Sequence, residues 1–311
     1  MVLIKDERPV LVDTGFGSDA EETEQLLRDN GVPPEKLYLI VNTHYHSDHV
    51  GGNFHLQSKY GVTIAAHKWE AELVNSRNVE ACSAEWLDQP LEPYHVDKKL
   101  THQDEINNTG NRILQVIHTP GHTLGHISLY DPEEKTLIGG DLFHKNDLGW
   151  INIFREGVAA LERSLESLES LSRIPIQQAY SGHGPSIDKS LESIDKARMR
   201  IEKWLKDPEK IYWHGLKRVF SYALMIKNGL AKEAVADYLL SCGWFHDFAR
   251  YPFQQEPEEF IQPLLDEMIR SGAAKWQDDQ LIASAPYKAP SKEWLDINIM
   301  PRDWDNLNAL S

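Results

Sequence analysis

Short apolar runs, each closed by a turn residue, set the frame of the first two thirds of the chain. Val2 to Ile4 and Val10 to Val12 flank Lys5-Asp6-Glu7-Arg8-Pro9 and predict a β-hairpin. Leu37 to Val41, Val62 to Ala66, Ile113 to Ile117, Ile127 to Tyr130, Thr136 to Ile138 and Ile176 to Tyr180 read as further strands. Helical patterns stand between them. Ser18 with Glu21 gives a capping-box signal ahead of Leu26, Leu27 and Gly31. Val50 to Tyr60 suits one helix stopped by Gly61, and His67 to Asn75 resumes the period. Val158, Leu161, Leu165, Leu168 and Leu171 form an apolar stripe, with Glu162, Glu166 and Glu169 on the solvated side. Leu191, Ile194, Ile201 and Leu205 mark another helix, ending near Asp207-Pro208. Residues 76–107 show no clear period. A loop of that length is usually functional, so Trp86, Pro90, Pro93, Tyr94 and His95 suggest a pocket wall or lid, with a surface insertion as the plain alternative.

The pattern changes after Pro208. Val219 to Lys227, Leu230 to Leu240 and Glu258 to Arg270 read as three helices, with Pro263 starting or kinking the later part of the third. Ala273 to Trp276 and Gln280 to Ala283 bracket Gln277-Asp278-Asp279 as a hairpin. Three helices and a hairpin look like a winged-helix module. The third helix region carries Glu256, Glu258, Glu259, Asp266 and Glu267 against Arg270, a poor face for phosphate backbone. Packing, pocket closure or dimerisation suits the module better. Residues 286–311, with Trp294 and Trp304, read as a docked tail.

Composition narrows the class. No run approaches the ~18 apolar residues of a membrane helix, Met1 to Arg8 lacks a signal-peptide core, and two cysteines imply no disulfide framework, so a cytoplasmic protein is expected. A net charge of −16 disfavours nucleic acid through the overall field, while leaving room for a local basic groove.

The chemistry gathers where strands end. Thr43-His44-Tyr45-His46-Ser47-Asp48-His49-Val50-Gly51-Gly52 follows the strand through Val41. Neutral imidazoles and carboxylates at this spacing suit zinc, iron or manganese; a solvated His-rich turn is the bland alternative. Thr119-Pro120-Gly121-His122-Thr123, Gly139-Gly140-Asp141 and Ser181-Gly182-His183-Gly184-Pro185 each follow a strand in the same way. Turns after four strands, delivering ligands to one sheet edge, are how α/β folds assemble sites. His118 and His126 read as structural, whereas His144 is a candidate pocket residue or a surface loop residue. Trp150, Ile151, Ile153 and Phe154 form an apolar loop suited to the substrate side. No Gly-x-Ser-x-Gly elbow, phosphate loop or Gly-x-Gly-x-x-Gly fingerprint appears.

These motifs, in this order, resemble the metallo-β-lactamase-fold hydrolase superfamily over about residues 1–206. The resemblance implies an α+β, αββα sandwich followed by a small winged-helix-like domain (207–285) and a C-terminal tail (286–311). It implies one divalent metal on His44, His46 and His122, a second on Asp48, His49 and His183, and Asp141 bridging them. Zinc is foremost, with iron or manganese as alternatives. The aspartate at 141, where class B β-lactamases usually have cysteine, points to the glyoxalase II, lactonase and ribonuclease branches. Asp13-Thr14-Gly15 matches a family turn whose aspartate usually stands behind the metal ligands; a plain strand-ending turn is the alternative. The family normally carries more strand ahead of this hairpin. The implied chemistry is hydrolysis of a small-molecule thioester, lactone or similar activated ester by a metal-bridging hydroxide, with Asp48 and Asp141 as catalytic residues. Phosphodiester or RNA hydrolysis and an iron-dependent oxidoreductase are the alternatives, and a homodimer is one use of the C-terminal module.

Overall fold

The computed structural model describes residues 1–78, 80–109 and 112–296. Its first half builds a five-stranded sheet in the order β1-β2-β3-β4-β5: β1 (Val2–Ile4), β2 (Val10–Val12), β3 (Leu39–Val41), β4 (Ile64–His67) and β5 (Lys98–Leu100). The hairpin forms in the register Val2 to Val12, and β2 through β5 run parallel. Helices α1 (Ala20–Asp29), α2 (Ser47–Val50), α3 (Asn53–Tyr60) and α4 (Lys68–Asn75) accompany it. The second sheet has the order β10-β9-β8-β7-β6, from β6 (Glu105–Thr109), β7 (Arg112–His118), β8 (Ile127–Asp131), β9 (Thr136–Gly140) and β10 (Gln178–Ser181). Helices α5 (Ile153–Glu156), α6 (Ala159–Ser172) and α7 (Ser190–Lys206) belong to this half.

The two-residue period of the strands decides the layering. Val10, Val12, Leu39 and Val41 face Leu114, Val116, Ile127 and Leu129 of the other sheet. Their alternates, Leu11 and Ile40, turn the other way and pack under Leu27, Leu56 and Val74 of the helices. On the far side Leu137 and Ala179 meet Leu161, Leu168, Ile194 and Ile201. Both faces of each sheet are therefore buried, the condition for an αββα sandwich.

Three local expectations change. Ser18 does not cap α1: it lies in a 3-10 turn, Gly17–Asp19, and its hydroxyl turns to Asp19. The helix expected over 50–60 begins only at Asn53, as α3, and the one-turn helix α2 precedes it across the His-rich turn, with Gly51 between them packed on the neighbouring loop. A Cβ there would lie 2.2 Å from the Gly17 nitrogen. The aperiodic 76–107 segment contains two edge strands, β5 and β6, whose short polar-rich runs (Lys-Lys-Leu and Glu-Ile-Asn-Asn-Thr) carry little apolar signal.

Beyond residue 207 come α8 (Glu209–Ile226), β11 (Leu230–Ala231), α9 (Val235–Ser241), α10 (Gly243–Arg250), α11 (Pro257–Arg270), β12 (Ala274–Gln277), β13 (Gln280–Ala283) and α12 (Lys292–Leu295). The hairpin forms, and β11 joins it as a third strand in the order β11-β13-β12. Helix α10 was not expected; it buries Trp244, Phe245 and Phe248, a run too aromatic to show a clear period. Helix α11 starts on Pro257, where a missing N–H costs nothing, and continues through Pro263. The core here, with Phe220, Trp244, Phe260 and Leu264, takes in Leu87 and packs against Trp86, Trp150 and Phe154 from the first 206 residues. Trp294, in α12, lies against Phe16 with ring centroids 5.1 Å apart, while residues 297–311, including Trp304, fall outside the described residues.

Candidate metal centre

The C-terminal ends of β3, β7, β9 and β10 meet at one edge of the sandwich, because β7 and β9 both run antiparallel to β8, and β10 runs parallel to β9. The Ile127 amide donates to the Thr43 carbonyl at 2.8 Å and ties the two sheets together there. Asp13 fixes the loop after β3. Its carboxylate accepts from the Thr43 amide and hydroxyl, both at 2.8 Å. Asp13 has φ +58°, a left-handed conformation that aspartate tolerates better than most residues.

Three imidazoles then converge. His122 Nε2 lies 3.0 Å from His44 Nε2 and 2.9 Å from His46 Nδ1. All three rings are buried, and burial lowers their pKa values, that of His46 to about 3. Neutral rings need one nitrogen bare. His122 Nδ1 donates to the Trp150 carbonyl at 2.7 Å, which leaves Nε2 as a lone pair aimed at the other two rings.

A second group stands beside the first. His49 Nδ1 donates to Asp13 at 2.8 Å and turns Nε2 inward, 3.5 Å from Asp141 and 3.8 Å from Asp48. His183 Nε2 lies 3.1 Å from Asp48 and 3.4 Å from Asp141. The Asp141 carboxylate reaches the first group as well, 3.8 Å from His122 Nε2. Burial would raise the Asp141 carboxyl, but His183 and His49 outweigh it and hold it well below the usual range. Conversely, Asp141 raises His183 to about 11.

The donor set fits divalent metal ions. His44, His46 and His122 form one group of ligand atoms, Asp48, His49 and His183 another, and Asp141 stands with His44 and His49. Among the described residues His49 Nε2 and Asp141 Oδ1 are buried without a hydrogen-bond partner, which is costly unless an ion takes them up. All seven sequence-predicted site residues are thus brought together.

Neighbours add what the sequence did not show. His126, expected to be structural, is buried behind Asp141 and accepts its backbone N–H at 3.1 Å, while its other nitrogen meets the Thr119 hydroxyl at 2.9 Å. His118 lies away from the centre, stacked on His67 at 4.3 Å. His144 is buried, 5.6 Å from the His183 ring. A cavity of about 830 Å³ opens over the ligands, with His144, Trp150, Leu87, Gln89, Tyr222 and Arg218 in its wall. Trp150 stacks on His46 at 5.9 Å with 14° between the planes, and Trp86 stacks behind it at 6.3 Å. Pocket closure was one expected use of the C-terminal module, but which residues of α8 form the wall had no legible signal, since α8 reaches the site only through tertiary packing.

The chain is 28% identical over 166 residues to a hydroxyacylglutathione hydrolase of Pelagibacter ubique, covering 53% of this chain and 58% of the relative, less than two thirds of its length. It is 30% identical over 201 residues to an acyl-coenzyme A thioesterase of Bos taurus, covering 57% of this chain and 69% of that protein. A crystal structure of a metallo-beta-lactamase family protein from Thermus thermophilus superposes with a TM-score of 0.57 at 20% identity, over 90% of this chain and 92% of that one. The profile of the metallo-beta-lactamase superfamily matches residues 1–200, and the chain belongs to that superfamily.

Proposed function

We propose that the protein is a metal-dependent hydrolase of activated small-molecule esters, with a thioester as the leading substrate class and a lactone next. The observation that carries the reading is Asp141, a buried carboxylate standing between two groups of ligand atoms at the floor of an open cavity. In this reading His44, His46 and His122 would hold one ion and Asp48, His49 and His183 the other, with Asp141 placed to serve both. Zinc suits this nitrogen-rich set best. Divalent ions so held lower the pKa of water towards ~7 and polarise a carbonyl group.

The chain's own residues do the rest. Asp48, partly exposed where the cavity meets the centre, accepts a hydrogen bond from the attacking water and steers its lone pair. Trp150 and Leu87 wall the acyl portion off from solvent. Tyr222, whose buried hydroxyl has no hydrogen-bond partner among the described residues, offers a donor to the substrate. The thioester preference is supported by the hydrolase and thioesterase names of two relatives. Residues 1–206 form the catalytic domain in this reading, and the α8-to-β13 region is a winged-helix-like domain that closes the cavity.

The test is elemental analysis of the purified protein with a thioester, lactone and bis(p-nitrophenyl) phosphate panel, repeated for Asp141→Ala. About two zinc ions per chain, carbonyl-ester turnover, and its loss in a folded Asp141→Ala protein are expected. Full activity in that variant would overturn the two-ion mechanism.

A further inference from the structure

In a chain of net charge −16, cations collect at one place beside the cavity. Helix α7 carries Lys196, Arg200 and Lys203 at the i, i+4, i+7 spacing that puts them on one face, and α8 carries Lys210, His214 and Lys217 at the same spacing. These six line a second cavity of about 500 Å³, which has no carboxylate in its lining among the described residues. Trp204 forms part of its floor, with its ring 4.8 Å from His214. His214 and Lys217 also line the cavity over the metal centre, so the two spaces are neighbours.

The positive charge is only partly offset. Arg200 and Arg218 share one carboxylate, Asp147, while Lys210 pairs with Asp207 and Lys217 with Glu267. Among the described residues Lys196 meets the neutral amide oxygen of Asn146, at 2.9 Å, and neither Lys196 nor Lys203 has an ion pair. Burial lowers the pKa of His214. Five lysines and arginines around a concave surface, with an aromatic floor, are the chemistry of phosphate recognition, not of a solvated helix face.

We propose that this groove binds the phosphate groups of the thiol carrier of an acyl thioester, with the acyl chain lying in the adjoining cavity over the metal centre. This rests on the thioester reading and assigns it a phosphorylated substrate class. Leu87, Trp150, Val219 and Met225 give the inner cavity an apolar wall for the acyl chain. The groove is a short open hollow confined to α7, α8 and Asn146, and not an extended track, and the protein's overall negative charge repels a long polyanion. Both features favour a small phosphorylated carrier over a nucleic-acid strand.

The test compares two thioesters of the same acyl group, one on coenzyme A and one on N-acetylcysteamine, which has no phosphate. The Lys203→Glu/Lys210→Glu protein changes two exposed residues outside the metal centre. It should raise KM for the coenzyme A ester by about tenfold, an effect of the size expected for two charge reversals at a charged groove. It should leave kcat, and KM for the N-acetylcysteamine ester, unchanged. Added salt should raise the wild-type KM for the phosphorylated ester alone. The neutral Lys196→Gln/Lys203→Gln pair should shift KM in the same direction by less. Equal changes for both esters, or no change for either, overturn the proposal. If the wild type hydrolyses neither ester, the thioester reading falls, and the groove is judged by calorimetric binding of adenosine 3′,5′-bisphosphate. Binding that the double variant loses upholds the phosphate site. No binding at low salt overturns it, as does affinity for single-stranded RNA that grows with strand length.

Discussion

The Asp13 carboxylate lies 2.8 Å from His49 Nδ1, and it holds a ring whose inner nitrogen is buried without a hydrogen bond among the described residues. The same carboxylate grips the loop through the Thr43 amide and hydroxyl. One residue therefore fixes both the path of the His-rich turn and the tautomer of a ligand within it. Such outer partners typically tune metal affinity by ~10–100-fold. Asp13→Asn keeps the shape and the tolerance for positive φ but removes the charge. Metal titration against a chelator should show one of two sites weakened within that range and the other unchanged; equal weakening of both would refute the assignment of His49 to a separate site.

Gly182 and Gly184 offer a paired comparison two residues apart. A Cβ on Gly182 would lie 2.1 Å from Asp141 Oδ1 and 2.5 Å from the His49 ring, whereas nothing stands within 4 Å of one on Gly184. Gly184 has φ +89°, so alanine there costs backbone strain of order 1 kcal/mol. Gly182→Ala should abolish metal binding or turnover while melting close to wild type, and Gly184→Ala should lower the melting temperature while keeping metal. The reverse pattern would show that the turn after β10 is not packed against the centre.

Trp150 links the centre to the C-terminal helices. Its carbonyl orients His122, its ring stacks on His46, and Trp86 and α8 stand behind it. The carbonyl survives truncation of the side chain. Trp150→Ala should therefore keep bound metal, raise KM severalfold through loss of the apolar wall, and lower stability by about 3 kcal/mol or more. Metal loss on truncation would mean the ring, and not the carbonyl, positions His122.

Asp147 joins the loop after Asp141 to α7 and α8 through Arg200 and Arg218. Burial would raise its carboxyl, but His214 and Arg218 outweigh this and hold it well below the usual carboxylate range. A depressed folded pKa contributes stability above the unfolded value near ~3.9, and that stability is lost as pH falls through the folded value. Both arginines are more than a third exposed, so the effect is discounted to about 1 kcal/mol. Asp147→Asn should melt lower than wild type at pH 7, and the gap should close below about pH 4. A gap that is constant with pH would assign the loss to packing.

Sequence alone picked out the candidate ligands and the strand-ending turns that carry them. His44, His46, Asp48, His49, His122, Asp141 and His183 are adjacent to apolar runs whose two-residue period is local information, and glycines mark the turns. It also determined the sandwich, because strands buried on both faces need helices on each side. It did not determine what α2 and α3 do at Gly51, where the loop of residues 16 and 17 packs against the chain. Nor could it show Ser18 released from capping, Trp150 stacked on a ligand ring, or α10 within an aromatic core. Each depends on which distant surface arrives, and only packing decides that. The basic groove is the clearest case. Lys196, Arg200 and Lys203 look like a solvated stripe in a strongly acidic chain. They acquire a direction only when α8 turns back along α7 and brings Lys210 and Lys217 to the same hollow, beside the cavity over the ligands.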